Sequence, residues 1–274
     1  MANVAEPVPA ATIILLRETG VSPEVLMIQR SVKSEFLPDL YVFPGGRVDQ
    51  PDHELVDRMG GFDAKQAAGL ASTVDEELAL SFFAAAIRET YEEAGILLAR
   101  RRGESQLVDA ATVKNLGEHR LAVQEGSISF RDILEREDLD LAPDLLAVHA
   151  HWITPPMVPH RYDTLFFTAS TPPGQMAAHD GFESTAHVWL RPEEALEQAA
   201  AGTRQIVFPT KCNLETLCGH SNVNAAIAAS EARPVIPILP RVESREGKLM
   251  IVIPEEAAYP NSADPIPERP PTGS

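Results

Sequence analysis

The chain has 274 residues, 44% of them apolar, and a formal net charge of −17 from 23 basic and 40 acidic side chains. This length and apolar content can supply one sizeable hydrophobic core. The acidic balance argues against nonspecific binding to nucleic acid or to anionic membranes, because both interactions need a basic surface. We therefore expect a small-molecule partner, with no nucleic acid and no membrane.

Two further observations narrow the class of protein. No apolar run is as long as a membrane span, and the N-terminus lacks the basic and apolar blocks of a signal peptide. Cys212 and Cys218 are the only cysteines, so neither a disulfide framework nor a four-ligand zinc site is expected. A cytoplasmic protein is the resulting prediction.

The first predicted elements are two strands. Residues 1–9 are expected to form a flexible tail, and residues 11–17 and 24–30 are rich in Ile, Leu and Val, with turn residues between them that predict a hairpin. Arg30 ends the second strand and Lys33 follows it. Both could bind a substrate phosphate, although ordinary strand-end charge explains them equally well.

The next feature is an apolar strand that ends in Phe43-Pro44-Gly45-Gly46. Glycines at the end of a strand let the backbone approach a ligand more closely than side chains would allow. We therefore take Gly45, Gly46 and the basic Arg47 as candidate substrate-binding positions.

A helix is predicted over residues 78–94, which contain no Gly or Pro, with Gly95 as its left-handed cap. Glu89, Glu92 and Glu93 are spaced to share one helix face. Crowded carboxylates repel one another unless a cation lies between them, and oxygen ligands suit Mg²⁺ or Mn²⁺. The alternative is a solvent-exposed acidic face on which Arg88 pairs with Glu92.

The Phe-Pro-Gly-Gly segment and the motif Arg-Glu-Thr-Tyr-Glu-Glu-Ala-Gly-Ile at 88–96 together resemble the signature of the Nudix hydrolases. That signature is G-x5-E-x7-R-E-U-x-E-E-x-G-U, where U is a bulky aliphatic residue. The resemblance implies an α/β (α+β) fold, a Nudix-type α/β/α sandwich around a central mixed β-sheet, plus helical insertions and a C-terminal hairpin. It also implies metal-dependent hydrolysis of a diphosphate linkage.

The resemblance assigns roles to individual residues as well. One catalytic role falls to Arg88, which orients a neighbouring Glu. Another falls to an acid from a loop outside the signature, which is called the Nudix box. Glu183 is the first candidate for this acid and Asp180 the second. The implied ligands of Mg²⁺ or Mn²⁺ are the side chains or backbone of Gly46, Glu89, Glu92 and Glu93. A silent nucleotide sensor on the same fold is the alternative from another functional class.

The first half of the signature departs from the family pattern. Arg88 lies 42 positions after Gly46 where the signature allows 14, which leaves an insertion of 28 residues. Counting back from Arg88 places Leu80 where the family has its first Glu. That Glu is therefore expected to be missing, with Asp75, Glu76 or Glu77 as substitutes. The insertion, about 49–75, is expected to loop out over the pocket.

The remainder of the chain is predicted to complete one domain over residues 10–254. His149 and His151 alternate on a predicted strand and are expected to share one face, with a structural role favoured over metal binding. A Pro-rich disordered tail is expected after residue 254. The other predicted elements are a helical excursion at about 104–146, strands at 161–169 and 186–190, helices from 192 and at 213–229, and a hairpin of 236–239 with 249–253.

Within the Nudix hydrolases, the split box and residues 146–155 and 161–167 resemble the acyl-coenzyme A diphosphatase (nudix motif 19-like) branch. That resemblance implies hydrolysis of coenzyme A or acyl-coenzyme A to 3′,5′-ADP and a 4′-phosphopantetheine species. ADP-ribose, NADH and dinucleoside polyphosphates are the competing substrates. A homodimer would be ordinary for the family.

Overall fold

The computed structural model describes residues 5–32, 39–181 and 184–266. Its strands are β1 (Val8–Arg17), β2 (Glu24–Arg30), β3 (Tyr41–Val42), β4 (Gly45–Arg47), β5 (Ala99–Arg101), β6 (Leu139–Leu141), β7 (Ala147–Ile153), β8 (Tyr162–Ser170), β9 (Ser184–Leu190), β10 (Pro237–Ile238), β11 (Arg241–Arg245), β12 (Lys248–Val252) and β13 (Ala263–Pro265). Its α-helices are α1 (Gln50–His53), α2 (Ala64–Leu70), α3 (Glu76–Ala94), α4 (Ala110–Leu116), α5 (Arg120–Gln124), α6 (Phe130–Arg136), α7 (Pro192–Ala200), α8 (Phe208–Leu217) and α9 (Val223–Ala232). Short 3-10 helices span Val56–Arg58, Gly117–His119, Pro143–Leu145 and Glu255–Ala257.

A mixed sheet forms the centre of the fold, with strand order β10-β7-β8-β1-β2-β3, while β4 pairs with β1 and β9 pairs with β2. The predicted hairpin of β1 and β2 is confirmed, with Leu16 opposite Val25, but β1 already begins at Val8 within the segment predicted as a tail. β1 runs parallel to β8, and its other neighbours are antiparallel. No helix in the described part of the chain is long and apolar enough to cross a membrane.

Both faces of the sheet are covered, which confirms the predicted α/β/α sandwich. Ile13 and Leu15 pack on the side of α3, whereas Ile14 and Leu16 pack on the side of α8 and α9. A strand buried on both faces reads as a continuous apolar run, and this accounts for the Ile-Ile-Leu-Leu segment of β1.

The insertion after Gly46 folds into the core, so the prediction that it loops out over the pocket was wrong. α1 and α2 lie against α3, the 3-10 turn between them contacts β6, and Leu55, Met59 and Ala67 are buried in the same cluster as the sheet residues. Asp63 caps α2 by accepting a bond from the Gln66 amide at 2.8 Å. These apolar side chains hold the insertion against α3.

The excursion at 104–146 contains α4, α5 and α6 together with the two-stranded ribbon of β5 and β6, as the helical periodicity predicted. It packs on the apolar face of α3. The Tyr91 hydroxyl donates to the Leu116 carbonyl at 2.6 Å, and the Tyr91 ring stacks on Phe130 with centroids 5.4 Å apart. This contact fixes the rotation of α3 about its axis.

A β-bulge in β7 separates the two strand histidines, so the prediction that they share a face was wrong. Val148 lies opposite Phe167 and Ala150 opposite Phe166, which leaves one extra residue on β7. His149 Nδ1 is 2.8 Å from Ser230 Oγ on the α9 side of the sheet. Burial lowers the pKa of His149 to about 3, so this histidine is neutral and structural.

His151 lies on the opposite side of the sheet, because the bulge reverses the alternation. Its Nδ1 is 2.8 Å from Thr73 Oγ1 in the insertion, and its Nε2 contacts the Asp163 carboxylate. His151 therefore ties the insertion to the central sheet.

The C-terminal third differs from the prediction in its element boundaries. The single helix predicted at 213–229 is two helices, because Gly219 adopts a φ of +77° and Asn222 caps α9 through the Ala225 amide. The predicted hairpin partner at 236–239 is also wrong. β10 joins β7 in the central sheet, and β11 pairs with β12 instead.

The segment after residue 254 is ordered as far as Ile266, so the predicted tail was wrong over this stretch. Tyr259 is buried, and its hydroxyl donates to Asn213 Oδ1 at 2.7 Å and accepts from Trp152 Nε1 at 3.2 Å. β13 then pairs with β12. Residues 267–274 lie outside the described residues.

Candidate active site

The three predicted carboxylates lie on one face of α3, where the helix passes β4 and α1. Glu89, Glu92 and Glu93 are all buried, with 8%, 7% and 3% of their surface exposed. This burial excludes the alternative of a solvent-exposed acidic face. Buried carboxylates also need strong partners, which the neighbouring groups supply. The predicted cap also holds, since Gly95 adopts a φ of +66° and its amide donates to the Tyr91 carbonyl at 3.0 Å.

The Gly-Gly segment approaches these carboxylates with its backbone. The Gly45 amide donates to Glu93 Oε2 at 2.8 Å. A Cβ atom on Gly46 would lie 2.5 Å from Glu89 Oε1, and one on Gly45 would lie 2.4 Å from the Ala11 carbonyl oxygen. Position 45 therefore requires glycine because the clash is with the backbone, whereas a side chain at position 46 would displace the Glu89 carboxylate, so the predicted close backbone approach is present at both positions.

Arg88 holds the carboxylates in place from the insertion side. Its Nη1 donates to Glu89 Oε1 at 2.8 Å and to Glu92 Oε1 at 3.2 Å, and its Nη2 donates to the Arg47 carbonyl at 2.9 Å. Burial disfavours the charged guanidinium, but the carboxylates of Glu89 and Asp52 outweigh that effect and raise the pKa of Arg88. Arg88 is thus a fully charged organiser of the site.

Asp52 is a site residue that the sequence reasoning missed. Arg88 donates to both of its carboxylate oxygens, from Nε at 2.8 Å and from Nη2 at 3.0 Å, and the Asp52 side chain is fully buried. Asp52 lies six positions after Gly46, which is where the signature places its first Glu when it is counted forward. The first acid of the box is therefore present, and the insertion begins after it.

This position corrects the search for a substitute acid. Leu80 is buried in the hydrophobic core. Asp75, Glu76 and Glu77 precede or begin α3, and at the helical rise they lie roughly 18 Å or more from Glu89 along the axis. Counting forward from the glycines, rather than back from Arg88, would have identified Asp52.

The electrostatics of the face fit a divalent cation. Burial, together with repulsion from Glu92, raises the pKa of Glu89 to about 7, even though Arg88 acts in the opposite direction. The donors are all oxygens, as Mg²⁺ and Mn²⁺ prefer. Within the described residues no group of three or more His, Cys, Asp or Glu side chains is arranged to hold a metal ion, and the carboxylates of Glu89, Glu92 and Glu93 instead accept hydrogen bonds from Arg88 and the Gly45 amide.

The structure brings some predicted substrate residues to this face but not others. Gly45 and Gly46 lie there, whereas Arg30 ends β2 at a register irregularity with β9, and its Nε is buried without a hydrogen-bond partner in the described part of the chain. Arg47 follows Gly46, so its side chain leaves from the face opposite to Glu89. It lines a separate cavity of about 230 Å³ with His160 and Tyr162.

The acid predicted on the loop before β9 is only partly open to description. Glu183, the first candidate, and Lys33 lie outside the described residues. Asp180, the second candidate, accepts hydrogen bonds from the Ser184 amide and hydroxyl, each at 3.1 Å, and from Gln124 Nε2 at 3.1 Å. These bonds hold the Asp180 carboxylate between α5 and the first residue of β9.

Comparison with known proteins gives a consistent result. The family model described as the NUDT19 Nudix domain matches residues 56–215. Acyl-coenzyme A diphosphatase NUDT19 of Gallus gallus is 30% identical over 88% of this chain and 74% of that protein. The protein of the same name from Xenopus laevis is 25% identical over 88% of this chain and 72% of its own length.

The fold is also similar to that of a solved structure. A NUDIX hydrolase from Alicyclobacillus acidocaldarius superimposes with a TM-score of 0.66 at 25% sequence identity, over 82% of this chain and 97% of that one. The similarity extends beyond the box to nearly the whole of the solved chain.

Proposed function

This chain belongs to the NUDT19 Nudix domain family and is a Nudix hydrolase, and from that premise we propose that it cleaves the diphosphate linkage of coenzyme A or an acyl-coenzyme A. The observation that carries the proposal is the buried network of Arg88 with Asp52, Glu89 and Glu92, set against the Gly45–Gly46 backbone. The proposed products are 3′,5′-ADP and the corresponding 4′-phosphopantetheine species.

The carboxylates of Glu89, Glu92 and Glu93 and the carbonyl of Gly46 would hold Mg²⁺ or Mn²⁺. When bound, such an ion neutralises the phosphate oxygens and lowers the pKa of an attacking water. The remaining work falls to the chain. Arg88 fixes two of the carboxylates, and Asp52 fixes Arg88, so the acids are positioned before the substrate arrives.

The glycine backbone contributes in the same way. With no side chain at position 46, the backbone of the Gly45–Gly46 segment lies directly against the Glu89 carboxylate, and the Gly45 amide donates to Glu93. Arg30 is proposed to bind a phosphate of the substrate, since its buried Nε has no hydrogen-bond partner among the described residues. Glu183 stays the proposed acid–base residue.

The choice of substrate rests on the two relatives named acyl-coenzyme A diphosphatase. ADP-ribose, NADH and dinucleoside polyphosphates share the diphosphate chemistry and are the alternatives within the class. The catalytically silent sensor is less well supported, because the acid whose loss favoured it is present as Asp52. A cytoplasmic location and a homodimer stay predictions.

The test is a product assay with coenzyme A, two acyl-coenzyme A esters, ADP-ribose, NADH and diadenosine polyphosphate, each with Mg²⁺, Mn²⁺ or chelator. We expect metal-dependent release of 3′,5′-ADP from the coenzyme A compounds. Cleavage of one of the other substrates instead would support diphosphate hydrolysis but reject the coenzyme A compounds as the substrate. Nucleotide binding without any turnover would favour the sensor.

The same assay tests the carboxylates. Replacing Glu92 or Glu93 by Gln keeps the size of the side chain and removes its charge, so we expect turnover to fall by about three orders of magnitude or more while the fold is retained. Gln in place of the exposed Glu104 is the matched control and should have no effect. Near-normal turnover in both site variants would contradict the metal assignment.

A further inference from the structure

The short helix α5 contacts the C-terminal end of the carboxylate helix and the loop that precedes β9. Arg120 Nη2 donates to the Glu92 carbonyl and to the Ala178 carbonyl, both at 2.8 Å, and its Nε donates to the Glu92 carbonyl at 3.2 Å. A single guanidinium therefore joins the last turn of α3 to a segment 86 residues further along the chain.

This contact satisfies a group that the helix cannot satisfy itself. The Glu92 carbonyl is one of the last four of α3, and the amide of Ile96 donates to Thr90 instead. A cation at a helix C-terminus is also electrostatically favourable. Gly95 completes the arrangement, because a Cβ there would lie 2.8 Å from Arg120 Nη1.

Arg120 is charged and lies within the electrostatic reach of the site. Burial lowers its pKa, while Asp180, Glu92 and Glu93 act to raise it. An arginine stays protonated under these conditions. Its hydrogen bonds go to backbone carbonyl oxygens of Glu92 and Ala178.

Gln124 makes a second contact from the same helix face, one turn after Arg120. Its Nε2 donates to Asp180 Oδ2 at 3.1 Å. The Ala178 amide donates to the Ala94 carbonyl at 2.8 Å, and Gln175 exchanges hydrogen bonds with both backbone groups of Leu97. Residues 175–180 are thus held against the end of α3 at several points, two of them through α5.

We propose that Arg120 and Gln124 are positioning residues, which set the last turn of α3, and with it Glu92 and Glu93, by clamping that turn to residues 178–180. The proposal rests on the proposed function, because its main readout is diphosphate hydrolysis. It assigns the excursion at 104–146 a part in catalysis that its distance along the sequence from the box does not suggest.

The test compares Arg120→Met, Arg120→Lys and Gln124→Leu with Arg136→Met, an exposed arginine of the same excursion. Small displacements of catalytic groups act on turnover, so we expect Arg120→Met to lower kcat about 30-fold with KM changed less than about threefold. Arg120→Lys should recover to within about fivefold of wild type, because an ammonium can still donate to the two carbonyls. The kcat of Gln124→Leu should be about fivefold lower than that of wild type, and the kcat of Arg136→Met should equal it.

Chemical rescue separates positioning from general damage to the fold. Arg120→Ala should regain activity on addition of guanidinium chloride at millimolar concentration, and sodium chloride at the same ionic strength should not replace it. Unchanged kcat in Arg120→Met, or no rescue by guanidinium, would overturn the proposal.

Hydrogen exchange distinguishes this failure from failure of the proposed function. If the wild-type protein cleaves no substrate, the exchange of the Ala178 amide can still be compared between wild type and Arg120→Met. Faster exchange in the variant would support the clamp without any turnover. Equal exchange in the two proteins would reject the clamp independently of what the enzyme cleaves.

Discussion

At the scale of single residues, the site depends on one arginine shared among several acids. Arg88 bridges Asp52, Glu89 and Glu92, and without it three anions would lie together in a buried space. A buried ion pair contributes little net stability as a unit, but removal of one partner leaves the other charge without compensation. The acid that the sequence analysis missed should therefore be among the most sensitive positions of the chain.

Asp52→Asn tests this directly. We expect the free energy of unfolding to fall by about 3 kcal/mol, because Arg88 would lose a charged, bidentate partner in a buried site. Turnover should fall at least about tenfold, because Arg88 would no longer be fixed. Chemical denaturation and the product assay measure the two effects.

Asp144→Asn provides the control for Asp52→Asn. Asp144 also makes a bidentate pair, with Arg100, but half of its side chain is exposed. An exposed pair contributes about 1 kcal/mol or less. Similar losses in the two variants would show that burial of the Arg88 pair has no special importance.

Glu89 gives a prediction about pH in the metal-free protein. Its pKa of about 7 is above the ordinary value of 4.5, so the folded state binds this proton more tightly than the unfolded state. The stability that the proton provides is present below pH 4.5 and is lost as the pH rises through about 7. Glu89→Gln should therefore be more stable than wild type at pH 8, by about 1–3 kcal/mol, with little difference at pH 4.

The measurement is chemical denaturation in the presence of chelator at several pH values. Glu104→Gln, at an exposed position, should follow the wild-type pH dependence throughout. If Glu89→Gln is less stable than wild type at pH 8, the carboxylate is not under electrostatic strain in the metal-free state.

At the scale of secondary-structure elements, local sequence patterns predicted what local interactions decide. The continuous helical run before Gly95 corresponds to α3, and the two apolar runs on either side of the turn at Gly20 correspond to the hairpin of β1 and β2. Thr90 occupies the position where the signature has a bulky aliphatic residue. The helix tolerates it because the Thr90 hydroxyl donates to the Ala86 carbonyl at 2.6 Å and is satisfied inside the core.

Patterns that depend on distant partners were not predictable in the same way. The extra residue in β7 is set by its pairing with β8, so strict alternation misplaced His149 relative to His151. The break between α8 and α9 could have been predicted from Gly219 and from Asn222, which is a favourable N-cap residue. Asp52 was missed because the position of the first acid was counted back from Arg88 only, and not forward from Gly46.

The insertion gives a prediction at this scale. Leu55 is 1% exposed and packs with α3, whereas its neighbour Val56 is 55% exposed. Leu55→Ala should lower the free energy of unfolding by about 2–5 kcal/mol, because it leaves a cavity in the main core. Val56→Ala should change it by less than about 0.5 kcal/mol. Equal, small effects in thermal unfolding would mean that the insertion folds independently of the core.

At the scale of the whole molecule, the apolar cluster on the α8 and α9 side of the sheet joins the end of the chain to the central sheet. Trp152 of β7, Asn213 of α8 and Tyr259 form one hydrogen-bonded group, and Arg233 lies 4.4 Å from the centre of the Tyr259 ring. The high Pro and acid content of this region predicted disorder, but composition does not register one aromatic side chain that enters a core.

Tyr259 therefore carries the prediction for the far side of the sheet. Tyr259→Phe should lower the free energy of unfolding by about 1–2 kcal/mol, because Asn213 and Trp152 each lose a buried hydrogen-bond partner. Tyr259→Ala should cost about 3–5 kcal/mol through the added cavity. Because this residue lies across the sheet from Glu89, we expect KM and kcat of the folded protein to stay within about twofold of wild type. A selective loss of kcat would show that the two faces are coupled.

The position of Asp52 has a consequence for how related chains can be recognised. The first acid of the box, Asp52, lies in α1 shortly after the strand that carries the glycines, and the other acids lie on α3, with a folded spacer between the two. Natural variation can therefore lengthen or shorten the spacer while both halves keep their own internal spacing. A search pattern that reads forward from the glycines and backward from the arginine, and leaves the spacer length free, would find such split boxes where a contiguous pattern passes over them.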